Sequence, residues 1–153
     1  MQQITTGELT PVELGAWRGL LRVHSAIAHE LDRELQEAQA LPLTHYEVLI
    51  YLHAAPGRRL RMSELASSVL LSQSGVTRLV DRLERDGLVA RERCDDDRRG
   101  LFARLTPAGV ARLAKARPTH LAGVRRLYLQ KFSDEELAEL AELWERVLPG
   151  SAS

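Results

Sequence analysis

A chain of 153 residues, 44% hydrophobic and 27% charged, can bury one core of ordinary size without disulfide staples. Its single cysteine, Cys94, excludes an internal disulfide framework, and no basic-then-apolar leader or bilayer-length apolar run is present, so a cytoplasmic protein without membrane association is expected. The 21 basic and 21 acidic residues cancel, but unevenly: Arg58 to Arg104 holds 11 basic against 8 acidic, between an acidic first third and a near-neutral last third.

Thr10-Pro11-Val12-Glu13 opens the first helix, with Thr10 as cap, Pro11 in the first turn and Glu13 closing a capping box. Leu14, Trp17, Leu21, His24, Ala28, Leu31 and Leu35 then recur in steps of three and four as one stripe, ending before Pro42. Thr44 and Glu47 read as a second capping box, for a helix carrying Tyr46, Leu49, Ile50 and Leu52 that Pro56-Gly57 stops. Arg59-Leu60-Arg61 reads as a short extended piece. Ser63 is expected to cap a brief helix with Leu65, Ala66 and Val69, and Ser72 the next, which Gly87 ends.

Beyond Gly87 the period drops to two. Residues 88–94 and 101–105 read as the strands of a hairpin, joined by the charged turn Asp95-Asp96-Asp97-Arg98-Arg99-Gly100. Thr106-Pro107 opens another helix, which Pro118 is expected to kink or break. Ser133 and Glu136 box the last helix, with Leu137, Leu140, Trp144, Val147 and Leu148. Two short helices and a tight turn followed by a hairpin give a mainly α (α+β) fold, a winged helix-turn-helix flanked by N- and C-terminal helices.

The helix after Ser72 carries the first chemical signal. At about 100° per residue, Val76, Leu79, Val80 and Leu83 fall on one side, and Ser74, Thr77, Arg78 and Asp81 on the other. Small hydrogen-bonding residues at its start let the helix approach a DNA major groove closely, and its free N–H groups favour phosphate. Arg78 and Arg82 reach bases or backbone, and Gln73 a base edge or a phosphate. An amphipathic surface helix without function has the same pattern. The hairpin that follows shifts the balance, because Arg98 and Arg99 near its tip, with Arg91, Arg93 and Arg104 on its strands, suit an adjacent minor groove.

The run Leu71-Ser72-Gln73-Ser74-Gly75-Val76-Thr77-Arg78-Leu79-Val80-Asp81-Arg82-Leu83-Glu84-Arg85-Asp86-Gly87-Leu88-Val89 resembles the recognition helix and exit of the MarR family. Asp97-Arg98-Arg99, then Leu101 and Leu105-Thr106-Pro107-Ala108-Gly109, is similar to that family's wing and the start of its next helix. Ser63-Glu64-Leu65-Ala66 and Phe132-Ser133-Asp134-Glu135-Glu136-Leu137 resemble two further segments. The similarity runs in consistent order from about Leu43 to Leu148.

The resemblance implies a homodimeric transcriptional regulator that binds double-stranded DNA, with a winged lobe over residues 43–105 and dimerisation helices over 10–38 and 107–148. The expected DNA contacts are Ser72, Gln73, Ser74, Thr77, Arg78, Arg82, Arg98 and Arg99. Asp97 is expected to brace the wing by pairing with Arg99. A small-molecule effector is expected in a crevice between dimer helices and winged lobe, with Trp17, His24, His45, Tyr46 and Leu49 as candidate lining. Ordinary core aromatics and satisfied histidines explain those five residues equally well.

Other chemistries have weaker support. His24, His29, His45, His53 and His120 show no ligand spacing with each other, with Cys94 or with a carboxylate, so no metal or other cofactor is expected. Cys94 has arginines on one side and aspartates on the other, which oppose each other's effect on its thiol. No nucleophile–base–orienter set and no phosphate loop appears, so an enzyme is not expected. The expected function is a ligand-responsive repressor on a pseudo-palindromic operator. The alternative is a winged-helix module that binds protein, which the zero net charge favours.

Overall fold

The computed structural model describes residues 7–69, 71–94 and 97–153. Helix α1 runs from Pro11 to Gln39, α2 from Leu43 to Ala54, α3 from Met62 to Ser68, α4 from Gln73 to Arg85, α5 from Pro107 to Leu127 and α6 from Asp134 to Val147. Strands β1 (Arg59–Arg61), β2 (Val89–Cys94) and β3 (Asp97–Leu105) form one antiparallel sheet with β3 in the centre. Single 3-10 turns cover Pro56–Arg58 and Leu129–Lys131.

Local hydrogen bonds start four of the helices. Thr10 Oγ1 accepts from the Glu13 N–H at 3.2 Å, and the Thr10 N–H donates to Glu13 Oε2 at 2.8 Å. Ser133 and Glu136 repeat this reciprocal pair at α6. Ser72 Oγ accepts from the Gly75 N–H at 3.1 Å to start α4, and Thr106 Oγ1 accepts from the Gly109 N–H at 3.0 Å to start α5.

Two caps differ from the sequence reading. Helix α2 begins at Leu43 with Pro42 in the cap position, so Thr44 already lies inside the helix. Its leading donor is met from another helix: Asp32 Oδ1 accepts the Leu43 N–H at 2.8 Å. Ser63 likewise lies inside α3, where Arg61 takes the cap position and its N–H donates to Glu64 Oε2 at 3.0 Å. Both helices start two residues early because a partner other than the local hydroxyl satisfies the first turn.

Pro118 does not break α5, which continues for nine residues beyond it to Leu127. Only one intrahelical donor is lost there, and packing against α1 and α2 holds the helix together. The hairpin also differs from expectation, since β3 begins at Asp97 and Cys94 pairs with Asp97 across a register shift.

The core lies where α2, α3 and α4 meet the sheet and the first turns of α5. Tyr46, Val48, Leu49 and Leu52 of α2 pack with Leu65 of α3, Val76, Val80 and Leu83 of α4, and Ala103 of β3, all fully enclosed. Leu31 and Leu35 of α1 join this core, but the N-terminal part of that helix does not. Val12, Trp17, Leu20, Leu21 and Val23 remain exposed, as do Leu143, Trp144, Val147 and Leu148 at the other end of the chain. Helix α6 has no buried residue. No helix among the described residues is long and apolar enough to cross a membrane.

Candidate nucleic-acid interface

Helix α4 shows the two faces its period demands. Val76, Leu79, Val80 and Leu83 are buried, whereas Ser72, Gln73, Ser74, Thr77, Arg78 and Arg82 are exposed. The six exposed residues thus share the N-terminal and outer surface of one helix. Ser72 Oγ lies 3.1 Å from Ser74 Oγ, and Thr77 Oγ1 donates to the Gln73 carbonyl at 2.8 Å. Thr77 Oγ1 spends its one donor on that carbonyl and keeps its acceptor sites. Arg78 and Arg82 make no ion pair among the described residues.

The wing follows directly. Gly87, at φ +73°, ends α4 and turns the chain into β2. Asp95 and Asp96 lie outside the described residues. Asp97, Arg98 and Arg99 are placed by their backbone at the start of β3, and the side-chain roles read for them, including the bracing pair of Asp97 with Arg99, lie outside what the structure describes.

Several strand arginines are already engaged inside the lobe. Arg91 lies 2.7 Å from Asp81 and 3.1 Å from Glu84. Arg104 pairs with Glu92, which also stands 3.6 Å from Arg59. The Arg104 partner holds the Glu92 carboxyl below the usual carboxylate range. Arg59 further lies 4.6 Å above the Phe102 ring. Three of the eight acidic residues in this basic region, Asp81, Glu84 and Glu92, are therefore matched internally by Arg91, Arg104 and Arg59, while Arg78 and Arg82 face solvent.

A second feature lies between α1, α2, α5 and α6. A cavity of about 520 Å³ is walled by apolar side chains, among them Ile27, Leu31, Phe132, Leu140 and Trp144. Among the described residues its polar lining is His24, Glu47, His120 and Tyr128, without lysine or arginine. Burial pushes the Glu47 carboxyl above its ordinary range, against an opposing pull from His24. Burial pushes His120 below the ordinary imidazole value, and its Nδ1 is buried without a hydrogen-bond partner among the described residues.

Of the five residues read as candidate lining, His24 faces this cavity. Tyr46 and Leu49 are buried in the core, and Tyr46 meets His120 with ring centroids 4.4 Å apart. Beyond that pair, Tyr46 and His120 also line a smaller hollow of about 270 Å³ with His53 and Arg117. Trp17 lies exposed on α1 outside the cavity, and His45 is half-buried near Arg82 and Asp86. Glu47 and His120 were not singled out as cavity residues from sequence. Glu47 was read as a cap residue, and nothing local marks His120 as its neighbour.

The helix pair α3–α4, the sheet built on its hairpin and the exposed start of α4 define a winged helix-turn-helix protein. Residues 41–100 match the family model described as "MarR family". The chain is similar to AbsC, a MarR family transcriptional regulator from Streptomyces coelicolor, at 39% identity and a TM-score of 0.84 over 93% of this chain and 95% of that one. It is similar also to Sco3205 of the same organism, a MarR family regulator solved in complex with DNA, at 34% identity and a TM-score of 0.86 over 99% and 97% of the two chains. The HTH-type transcriptional repressor YetL of Bacillus subtilis is 33% identical over 106 residues, 67% of this chain and 63% of YetL's length. The chain belongs to the MarR family of transcriptional regulators.

Proposed function

We propose that the protein is a sequence-specific repressor that binds a two-fold operator in double-stranded DNA as a homodimer and is released by a small molecule. The observation that carries this reading is the outer face of α4, where Ser72, Gln73, Ser74, Thr77, Arg78 and Arg82 are all exposed around the helix N-terminus. Hydroxyls there serve at close range, and the two arginines reach further, to bases or phosphates. The relative Sco3205, at 34% identity, was solved in complex with DNA, which supports DNA binding as the activity. In this reading the winged lobe spans residues 43–105, with Arg98 and Arg99 at the wing and Asp97 bracing it.

Dimerisation falls to residues 10–38 and 107–148. Exposed Trp17 and Leu21 on α1 and Leu143, Val147 and Leu148 on α6 form apolar surface that a second copy would cover. Two recognition helices then meet successive major grooves about 34 Å apart. The cavity between α1, α2, α5 and α6 adjoins both regions and is where an effector would change their relation.

A gel-shift on the DNA upstream of the protein's own gene, with sedimentation of free protein and complex, tests this. A two-fold complex on a defined site is the expected result. Failure to discriminate any sequence would favour the protein-binding module instead.

A further inference from the structure

One arginine links the two elements that meet DNA in this reading. Arg91 stands on β2, in the wing. Its Nη2 lies 2.7 Å from Asp81 Oδ1 and donates to the Thr77 carbonyl at 3.2 Å. Its Nη1 donates to Glu84 Oε1 at 3.1 Å. Its backbone N–H donates to the other oxygen of the same carboxylate, Glu84 Oε2, at 2.9 Å. Thr77, Asp81 and Glu84 are spaced four and three apart, so they form one row along α4. One guanidinium therefore holds three successive turns of the helix to the wing strand.

The burial pattern agrees. The Arg91 side chain is 21% exposed, against 47% for Asp81 and 43% for Glu84. The cation is the covered member, with its planar fork directed at α4 and away from solvent. A lone exposed ion pair holds little, but a forked donor with several fixed acceptors restrains an angle as well as a distance. Thr77, one of the exposed residues at the start of α4, is held through its own carbonyl.

We propose that Arg91 is a positioning residue for DNA recognition: it fixes α4 against the wing as one rigid body, and the protein's sequence preference depends on it. Arg91 itself touches no DNA. The inference rests on the DNA-binding reading above, with α4 and the wing as the contacting elements. Its consequence is a separation of two quantities. Loss of the clamp lets helix and wing adapt separately, so discrimination falls. Non-specific attraction to phosphate, carried by other cations, is retained.

The test uses the full-length wild type with Arg91→Ala, Arg91→Lys and Asp81→Asn. Each is titrated, over a range of salt, against a duplex that wild type selects from a random library and against a shuffled duplex of equal length. Thermal melting is followed in parallel. Arg91→Ala should lose at least tenfold affinity for the selected duplex, keep its affinity for the shuffled duplex within about twofold, and leave the salt slope unchanged. Arg91→Lys and Asp81→Asn, which each keep part of the network, should fall between wild type and Arg91→Ala. Should Arg91→Ala melt below the assay temperature, those two variants carry the same comparison.

Equal weakening on both duplexes with a shallower salt slope would make Arg91 a phosphate contact and overturn the proposal. A lower melting temperature with unchanged discrimination would make it a stability residue only and overturn it too. If wild type selects no sequence, the DNA-binding reading itself falls, an outcome visible before any variant is measured.

Discussion

Gly109 passes so close to Leu88 that a Cβ on it would stand 2.2 Å from the Leu88 carbonyl oxygen. That carbonyl accepts the Thr106 N–H at 3.1 Å, and Thr106 Oγ1 donates to the Gly87 carbonyl at 2.7 Å. The exit of α4 and the entry of α5 are thus joined backbone to backbone, where the winged lobe meets the long helices.

Gly109→Ala should therefore destabilise the protein despite the better helix propensity of alanine. The methyl must displace backbone, so the loss should be about 1–3 kcal/mol. Urea unfolding followed by circular dichroism measures it. Stability equal to wild type would mean that the two segments separate freely.

Asp32 is a cap supplied from another helix. Asp32→Ala should lower stability by about 1 kcal/mol, as loss of an N-cap does, and Asp32→Asn should keep most of it. The same unfolding assay applies. Equal losses in the two variants would assign the effect to charge and not to the hydrogen bond with the Leu43 N–H.

Arg78→Ala should relax sequence preference at one position in each half-site, by about 1–3 kcal/mol per base contact. Site selection with wild type and variant reads this directly. If preference is unchanged and the salt slope becomes shallower by about 0.9 per contact, Arg78 holds a phosphate instead.

His120 carries a pH prediction. Burial depresses its folded-state value, so the unfolded chain binds the proton more readily. Stability from the neutral imidazole is fully present above the unfolded value, about 6.5, and is lost as pH falls from there through the lower folded value. Burial acts on His45 in the same direction, while Glu47, shifted upward, acts oppositely through the carboxylate range. The urea midpoint should drop between pH 7.5 and 5.5, and drop less in His120→Gln. An identical drop in the variant would remove His120 from the effect.

The cavity lining predicts ligand class. With Glu47, His24, His120 and Tyr128 as its polar groups and no lysine or arginine, it suits an apolar ring bearing a hydrogen-bond donor or an amine, and leaves a carboxylate without a counter-charge. Trp144 lines the cavity and Trp17 does not, so Trp17→Phe gives a single fluorescent reporter. Naphthylmethylamine should quench it at least tenfold more tightly than naphthoate, and Glu47→Gln should erase that difference. Tighter binding of naphthoate would refute the assignment.

The sequence by itself determined whatever depends on neighbours a few residues apart. The caps at Thr10, Ser72, Thr106 and Ser133 were legible because donor and acceptor lie three positions apart. The buried row Val76, Leu79, Val80 and Leu83, and with it the exposed row of α4, followed from the helical period. Assembly decided the rest. Asp32 caps a helix 11 residues away, Arg91 reaches back 14 residues to Thr77, and Glu47 shares a cavity with His120 of a different helix. Trp17, by contrast, holds a stripe position on α1 yet lies outside that cavity. Helical periodicity gives the face a residue occupies, but what stands opposite that face depends on how the helices cross, and no local spacing encodes that crossing.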